Sequence, residues 1–241
     1  MPKPVSQLKA VFFDLDDTIY DHRHSCMCGL SKLREIYPPL QDYEVGHLEA
    51  DYLLRLNILH ELLLQGLITQ EESRYKRIGG TLNQHGVHLE GQELEQACRI
   101  YEAGYKESRR PVPGMMELII DLRTKGIPSS IITNGFNNIQ EDKLQATGLD
   151  KIIDFMITSE TAGTAKPDPD IFQMAMDRYH ITPEQTLMVG DNWNIDILGG
   201  VNAGIPTVWI NRRGYACPDP SQAYEIKTAE ELRALLQPFL N

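Results

Sequence analysis

The chain has 241 residues, which is enough for one large domain or two modest ones. Its hydrophobic fraction of 41% and its charged fraction of 24% are ordinary for globular proteins and argue against a disordered or fibrous chain. A net charge of −11 argues against a nucleic-acid polymer or an anionic membrane surface as partner. No apolar run approaches the roughly 18 residues of a membrane helix. Four cysteines are too few for a disulfide scaffold, so a cytoplasmic location is expected.

Five short apolar runs predict the strands of a sheet. The runs at residues 10–14, 130–135 and 186–191 are rich in β-branched or aromatic residues and end in polar side chains, and weaker runs lie at 155–158 and 206–210. Runs of this length fit strands that are buried on both faces, as in a parallel sheet.

Helical patterns alternate with these strands from residue 107 onwards. The alternation predicts an α/β fold with a Rossmann-like, doubly wound parallel sheet. The predicted helix boundaries are a stop at Gly126, a capping box of Asn137 with Gln140, a stop at Gly148, an N-cap at Asp168 before Pro169, and a cap of Thr228 with Glu231.

The stretch after the first strand has a different character. Helical spacing of apolar residues is clearest at 48–63, 70–84 and 92–106, and nothing strand-like stands out between 20 and 106. The sequence therefore predicts a core domain made of residues 1–19 and 107–241, interrupted by an all-helical domain of residues 20–106.

Polar residues that follow the strong strands are candidates for chemistry, because the carboxyl ends of parallel strands meet at one edge of a sheet. Carboxylates gathered there repel one another unless a divalent cation joins them, and oxygen ligands favour Mg²⁺ over zinc. A threonine hydroxyl and a lysine suit the oxygens of a phosphoryl group. The candidates are Asp14, Asp16, Thr133, Asn134, Lys166, Asp191 and Asp196.

These residues lie in motifs that resemble, in order, the four motifs of the haloacid-dehalogenase (HAD) superfamily. The motifs are Asp14-x-Asp16-x-Thr18, Thr133-Asn134-Gly135, Lys166-Pro167, and Gly190-Asp191 with Asp196. The resemblance covers the whole chain, because a helical insertion after the first motif is similar to the C1 cap domain of subfamily I.

The resemblance implies a role for each aspartate. Asp14 is expected to be the nucleophile that forms an aspartyl-phosphate, and Asp16 the general acid and base. Mg²⁺ is expected to be held by the Asp14 side chain, the Asp16 backbone carbonyl and Asp191. Asp196 is expected to orient the lysine or the metal shell.

The resemblance also implies which residues bind the phosphoryl group. Thr133 and Lys166 are expected to contact its oxygens and to take part in catalysis, and Asn134 is a candidate in the same loop. His22 follows the nucleophile loop, and we expect it as a hypothesis to meet the leaving group of the substrate. The nearby histidines and cysteines have neither zinc-ribbon nor His-x₃-His spacing, which disfavours a soft-metal site there.

A longer resemblance is to bacterial pyrimidine 5′-nucleotidases, and it is carried by residues 113–114, 131–136, 147–149, 159–160, 165–167, 196–200 and 202–204. It implies a nucleoside monophosphate as substrate, with a sugar phosphate or phosphoglycolate as the alternative among small phosphorylated metabolites. A 2-haloacid dehalogenase is less favoured, because the dehalogenases of the superfamily lack the second aspartate. A β-phosphoglucomutase is also a less favoured alternative, which a sugar-phosphate isomerisation assay would separate from hydrolysis. Outside the enzymes, a phospho-accepting receiver or a catalytically silent binding protein stays open.

Overall fold

The computed structural model describes residues 2–5 and 7–241. The chain divides into two compact units: the described residues up to Asp21 together with Arg110–Asn241, and His22–Arg109. We refer to them as the α/β unit and the helical unit. The sequence-based boundaries at 19/20 and 106/107 fall two and three residues before these divisions.

The helical unit contains four helices, all of them in the stretch that the sequence predicts to be helical. A shared apolar core lies between them and includes Leu30, Leu33, Leu48, Tyr52 and Ile78. The third helix begins with a capping box in which Thr69 and Glu72 satisfy each other's backbone amides. The helices are α1 (His22–Ile36), α2 (Val45–Leu64), α3 (Gln70–Gln84) and α4 (Gly91–Glu107).

The α/β unit is built on a parallel sheet, as predicted. Within the described residues, six strands pair in the order β3-β2-β1-β4-β5-β6, and every pairing is parallel. The strands are β1 (Ala10–Phe13), β2 (Ser129–Thr133), β3 (Met156–Thr158), β4 (Thr186–Gly190), β5 (Thr207–Ile210) and β6 (Ala223–Ile226).

Burial explains which strands the sequence revealed. The three strongest apolar runs became β2, β1 and β4, which lie next to one another inside the sheet and are buried along their whole length. The edge strand β6 was missed, because Tyr224 is only partly buried and Glu225 is exposed. An edge strand with one solvated face needs no continuous apolar run.

Helices flank the sheet, and most of the predicted boundaries hold. Asp168 caps its helix by accepting a hydrogen bond from the amide of Asp170, and Thr228 accepts one from the amide of Glu231. Gly148 ends its helix with a φ of 75°. The helices are α5 (Met115–Thr124), α6 (Asn137–Thr147), α7 (Ser159–Ala162), α8 (Pro169–Tyr179), α9 (Leu198–Asn202) and α10 (Ala229–Leu240).

The predicted capping box of Asn137 with Gln140 is wrong. Phe136 is the N-cap residue of α6, and its side chain makes no capping hydrogen bond. The side chain of Gln140 instead contacts Asp16 and Thr133. In the part of the chain that the structure describes, no helix has the length and apolar character needed to cross a membrane.

A buried carboxylate, that of Asp21, joins the end of the first stretch of the α/β unit to two arginines from later parts of the same unit. Asp21 is 1% exposed in its side chain and accepts hydrogen bonds from Arg110 at 2.9 Å and from Arg212 at 2.8 Å. Burial by itself raises the pKa of Asp21, but the hydrogen bonds and charges of Arg212 and Arg110 outweigh it, so the pKa lies below its usual value.

We expect Asp21→Asn to lower the free energy of unfolding at neutral pH by about 2 kcal/mol, because charged hydrogen bonds are lost. A carboxyl whose pKa is lower in the folded than in the unfolded chain stabilises the folded protein at pH values above its unfolded pKa of roughly 3.9. This contribution is lost as the pH falls through the folded pKa. The difference between parent and variant should therefore shrink in acid. Urea titrations at neutral and acidic pH measure it, with exposed Asp150→Asn as control. A difference that is the same at both pH values would contradict the assignment.

Candidate functional site

The carboxyl ends of β1, β2 and β4 bring together residues that are far apart in the chain. Asp14 directly follows β1, Thr133 ends β2, and Asp191 directly follows β4. Carboxylate oxygens of Asp14, Asp191 and Asp196 lie within 4.8 Å of one another. The sheet edge therefore gathers an acidic cluster in the place where the motifs predict one.

Lys166 contacts two of the three carboxylates in this cluster. Its side chain is 1% exposed, and its Nζ donates hydrogen bonds to Oδ1 of Asp14 at 2.8 Å and to Oδ1 of Asp196 at 2.6 Å. A third bond of 2.6 Å reaches the carbonyl of Ile132 in β2. Two of the three donor positions of the ammonium group are thus directed at the acidic cluster, and the third fixes the lysine to the sheet.

Asp196 is positioned by the loop that follows β4. Its Oδ2 accepts a hydrogen bond from the backbone amide of Asn192 at 2.9 Å, while its Oδ1 binds Lys166. A Cβ at position 190 would clash with the Asp196 side chain, so Gly190 permits this close approach. Because both oxygens already have partners, Asp196 is better placed to hold the lysine than to donate an oxygen to a metal.

Burial and the neighbouring charges shift the pKa values of the residues in this cluster. Burial raises the pKa of Asp14 to about 7 against the opposing charge of Lys166, and the Asp196 carboxylate adds to the increase. Burial, followed by the charge of Asp14, holds the pKa of Asp191 well above its usual range. The Asp14 and Asp196 carboxylates outweigh the effect of burial on Lys166 and raise its pKa, so the lysine stays charged.

The cluster has the properties of a site for a hard divalent cation. Three carboxylates lie together here, and Lys166 contacts two of them. Burial is the main cause of the raised pKa values of Asp14 and Asp191, and the charges of the neighbouring carboxylates add to it. All three side chains offer oxygen, which suits Mg²⁺. Of the predicted ligands, Asp14 and Asp191 belong to this cluster.

The side chain of Asp16, the third predicted metal residue, has different partners. Lys143 donates to both of its oxygens at 2.7 Å, and Gln140 donates to its Oδ2 at 3.0 Å. Its carboxylate is 34% exposed, whereas that of Asp14 is 12% exposed. Two aspartates two positions apart therefore have separate environments, which is what opposite roles require.

Gln140 and Lys143 were missed as candidate site residues. They lie one turn apart in α6, which begins just after Thr133, and the Lys143 side chain is only 8% exposed. Gln140 also donates to Oγ1 of Thr133 at 2.8 Å, and a Cβ at Gly135 would clash with it. A signal did exist, because polar residues at i and i+3 near the start of a helix that leaves the carboxyl edge of a sheet tend to face the site.

Thr133 and Asn134 are both held in place by neighbours. Oγ1 of Thr133 accepts from the amide of Gly135 at 3.2 Å as well as from Gln140. Asn134 uses both atoms of its side-chain amide on the backbone of Lys166, at 2.9 Å and 2.8 Å. Asn134 thus joins the loop after β2 to the segment that carries Lys166. This favours a role in holding the loop conformation over direct contact with the reacting group.

His22, the predicted contact for the leaving group, is the first residue of α1 in the helical unit. Its Nδ1 forms a hydrogen bond of 2.8 Å with the hydroxyl of Tyr105, and the two rings meet edge to face. Farther along α1, Nε2 of His24 lies 3.7 Å from Sγ of Cys28.

Comparison with known proteins identifies the family. The signature described as haloacid dehalogenase-like hydrolase matches residues 8–204. The chain is 30% identical to glyceraldehyde 3-phosphate phosphatase of Methanothermobacter thermautotrophicus over 85% of this chain and 86% of that one. It is 29% identical to pyrimidine 5′-nucleotidase YjjG of Escherichia coli over 94% and 96% of the two chains.

A solved structure extends this similarity to three dimensions. The putative HAD-hydrolase YfnB from Bacillus subtilis, a structure bound to magnesium, aligns with a TM-score of 0.73 at 29% identity, covering 96% of this chain and 100% of the other. The family signature spans the Asp14, Thr133, Lys166 and Asp191 segments. The chain therefore belongs to the haloacid dehalogenase-like hydrolase family.

Proposed function

We propose that this hydrolase is a Mg²⁺-dependent phosphatase that cleaves small phosphate monoesters through an aspartyl-phosphate on Asp14. The observation that carries the proposal is the buried cluster in which Lys166 binds Asp14 and Asp196 beside Asp191. Relatives named as phosphatases and a nucleotidase support the choice of reaction. Membership of a hydrolase family argues against the receiver and the silent binding protein.

In the first step, a carboxylate oxygen of Asp14 attacks phosphorus, and the bond from phosphorus to the ester oxygen breaks. Asp16 gives its proton to the departing alkoxide. Lys166 and Thr133 bind the phosphoryl oxygens and offset their charge. A Mg²⁺ ion held by Asp14, the Asp16 carbonyl and Asp191 would neutralise the carboxylates and polarise the phosphoryl group.

In the second step, Asp16 takes a proton from a water molecule, whose oxygen attacks the same phosphorus. The bond between phosphorus and the Asp14 oxygen breaks, and inorganic phosphate leaves. Asp16 regains its proton for the next cycle, so one residue serves as acid and then as base. The side-chain hydrogen bonds of Lys166 go to Asp14 and Asp196 and not to Asp16, which supports a role for Asp16 that differs from that of Asp14.

The proposed substrate is a nucleoside monophosphate, supported by the similarity to YjjG along nearly the whole chain. A short phosphorylated aldehyde or sugar is the second candidate, because glyceraldehyde 3-phosphate phosphatase is similar over most of its length. His22 is proposed to contact the leaving group in either case, and Asn134 to shape the phosphoryl site.

A phosphate-release assay tests the function. We expect turnover of at least one nucleoside monophosphate or small sugar phosphate with Mg²⁺, and loss of turnover when EDTA removes the ion. Restored activity after Mg²⁺ is added back controls for damage by the chelator. Full activity in EDTA, or release of halide from a 2-haloacid with no phosphate-ester hydrolysis, would contradict the proposal.

Lys143 is proposed as a positioning residue for Asp16. We expect Lys143→Met to lower kcat by roughly 10- to 100-fold with little change in KM, because the carboxyl loses the group that orients it and general acid–base catalysis contributes about 10²- to 10⁴-fold. The exposed Lys151→Met is the matched control. In an Asp16→Asn background the Lys143 substitution should have little further effect. If the decreases in kcat caused by Lys143→Met and Asp16→Asn were fully additive in free energy, Lys143 would not act through Asp16.

A further inference from the structure

A second group of potential metal ligands lies inside the helical unit. Imidazole nitrogens of His47 and His85 and a carboxylate oxygen of Asp51 all fall within 4.8 Å of one another. His47 and Asp51 are one turn apart on α2, and His85 directly follows α3. The group contains none of the residues proposed for phosphate chemistry.

The distances fit a single ion with small side-chain movements. Nε2 of His85 lies 2.6 Å from Oδ2 of Asp51, and Nε2 of His47 lies 3.9 Å from the same oxygen. Bonds of about 2.0 Å to a tetrahedral zinc ion place neighbouring ligand atoms roughly 3.3 Å apart. The two observed distances lie on either side of that value, so one contact has to open and the other to close by less than about 1 Å.

Tyr43 restrains both imidazoles. Its ring meets His85 edge to face with centroids 4.3 Å apart and stacks on His47 at 5.6 Å. The carbonyl of Tyr43 in turn accepts a hydrogen bond of 2.8 Å from Arg34. These ring contacts limit the rotation of both imidazoles beside Asp51.

Exposure increases in steps across the group. The side chains of His85, Asp51 and His47 are 3%, 20% and 61% exposed. One ligand is therefore anchored in the interior, while the opposite side is open for entry of an ion and for a water as fourth ligand. An ion pair with His85 and an i,i+4 contact with His47 would by themselves account for the two contacts of Asp51, and a Zn²⁺ titration distinguishes that arrangement from a metal site.

We propose that His47, Asp51 and His85 bind a borderline divalent cation, Zn²⁺ in the first place, and that this ion joins α2 to the end of α3. Two imidazoles and one carboxylate favour zinc and its transition-metal neighbours over Mg²⁺, which prefers oxygen ligands. The two candidate metal sites among the described residues thus differ in ligand chemistry. The inference does not depend on the phosphatase proposal.

Calorimetric titration of the full-length, chelator-treated chain with Zn²⁺ tests the site. Excess Mg²⁺ is kept in the buffer to compete at the oxygen-only cluster. We expect one equivalent of Zn²⁺ to bind, and His47→Ala to weaken its affinity by more than about 10-fold, since even residues that only orient a ligand contribute roughly 10- to 100-fold. His47 is largely exposed, so this variant should fold normally.

Two further variants separate the sites. Exposed His88→Ala removes an imidazole outside the group and should leave Zn²⁺ affinity unchanged, as should Asp191→Asn in the oxygen cluster, whatever that change does to hydrolysis. Asp51→Asn should weaken binding as His47→Ala does. No Zn²⁺ binding by the parent chain, or equal affinity in the parent and His47→Ala, would overturn the proposal.

Discussion

Replacing Asp14 with asparagine is expected to lower kcat for phosphate-ester hydrolysis by at least about 10³-fold, the scale of loss seen when a catalytic nucleophile is removed. The amide has nearly the same shape as the carboxylate, so Oδ1 still accepts from Lys166 and the site keeps its geometry. A phosphate-release assay and a urea titration of the same preparation separate loss of chemistry from loss of fold. A variant as active as the parent would show that the nucleophile assignment is wrong.

The same substitution has a second expected result, in stability. Because the folded protein raises the pKa of Asp14 to about 7, its ionisation opposes folding. The contribution of the protonated group is complete below the unfolded pKa of roughly 4 and is lost as the pH rises through about 7. In Mg²⁺-free buffer the parent should therefore lose stability relative to Asp14→Asn between about pH 4 and about pH 7, with little further change above that. If the free energies of unfolding of the parent and of Asp14→Asn changed in parallel with pH, the prediction would be wrong.

Replacing Lys166 with methionine is expected to abolish activity and to lower the free energy of unfolding by about 3–5 kcal/mol in Mg²⁺-free buffer. The ammonium group has hydrogen bonds to two carboxylates in a place that is almost closed to solvent. Its removal leaves Asp14 and Asp196 buried without the cation that offsets their charge. Methionine has a similar volume, so lost packing contributes little.

Urea unfolding followed by circular dichroism measures this loss, and exposed Lys125→Met serves as the matched control. We expect the control to change stability by less than about 0.5 kcal/mol, as surface substitutions usually do. An unchanged unfolding midpoint in Lys166→Met would show that the lysine does not stabilise the acidic cluster. Retained hydrolysis would remove it from the proposed mechanism.

The fold was predictable where burial leaves a local pattern. Strands β1, β2 and β4 are covered on both faces, so each is a nearly continuous apolar run that the sequence displays directly. Caps such as Asp168 and Thr228 were also recognisable, because a capping hydrogen bond joins residues two or three positions apart. The edge strand β6 was not, since a half-exposed strand has no such run.

The same distinction explains the candidate site. Asp14, Asp16, Thr133, Lys166 and Asp191 could be chosen in advance, because each lies at the end of a recognisable strand or beside a helix start. The local spacing predicts a capping role for Gln140, but its side chain contacts Thr133 and Asp16, which are seven and 124 positions away. Contacts of that separation leave no mark on the local spacing from which a helix boundary is inferred.

The sequence alone predicted the parallel α/β sheet, its interior strands, most of the longer helices and the strand ends on which chemistry was expected, because periodicity and capping depend on neighbours in the chain. The partners of those residues were decided by tertiary structure. The bonds from Lys166 to Asp14 and Asp196 span 152 and 30 positions, the bond from Lys143 to Asp16 spans 127, and the one from His85 to Asp51 spans 34. Tertiary packing decides which charged groups are buried next to one another, and therefore how far they shift one another's pKa values. No local sequence pattern encodes that packing.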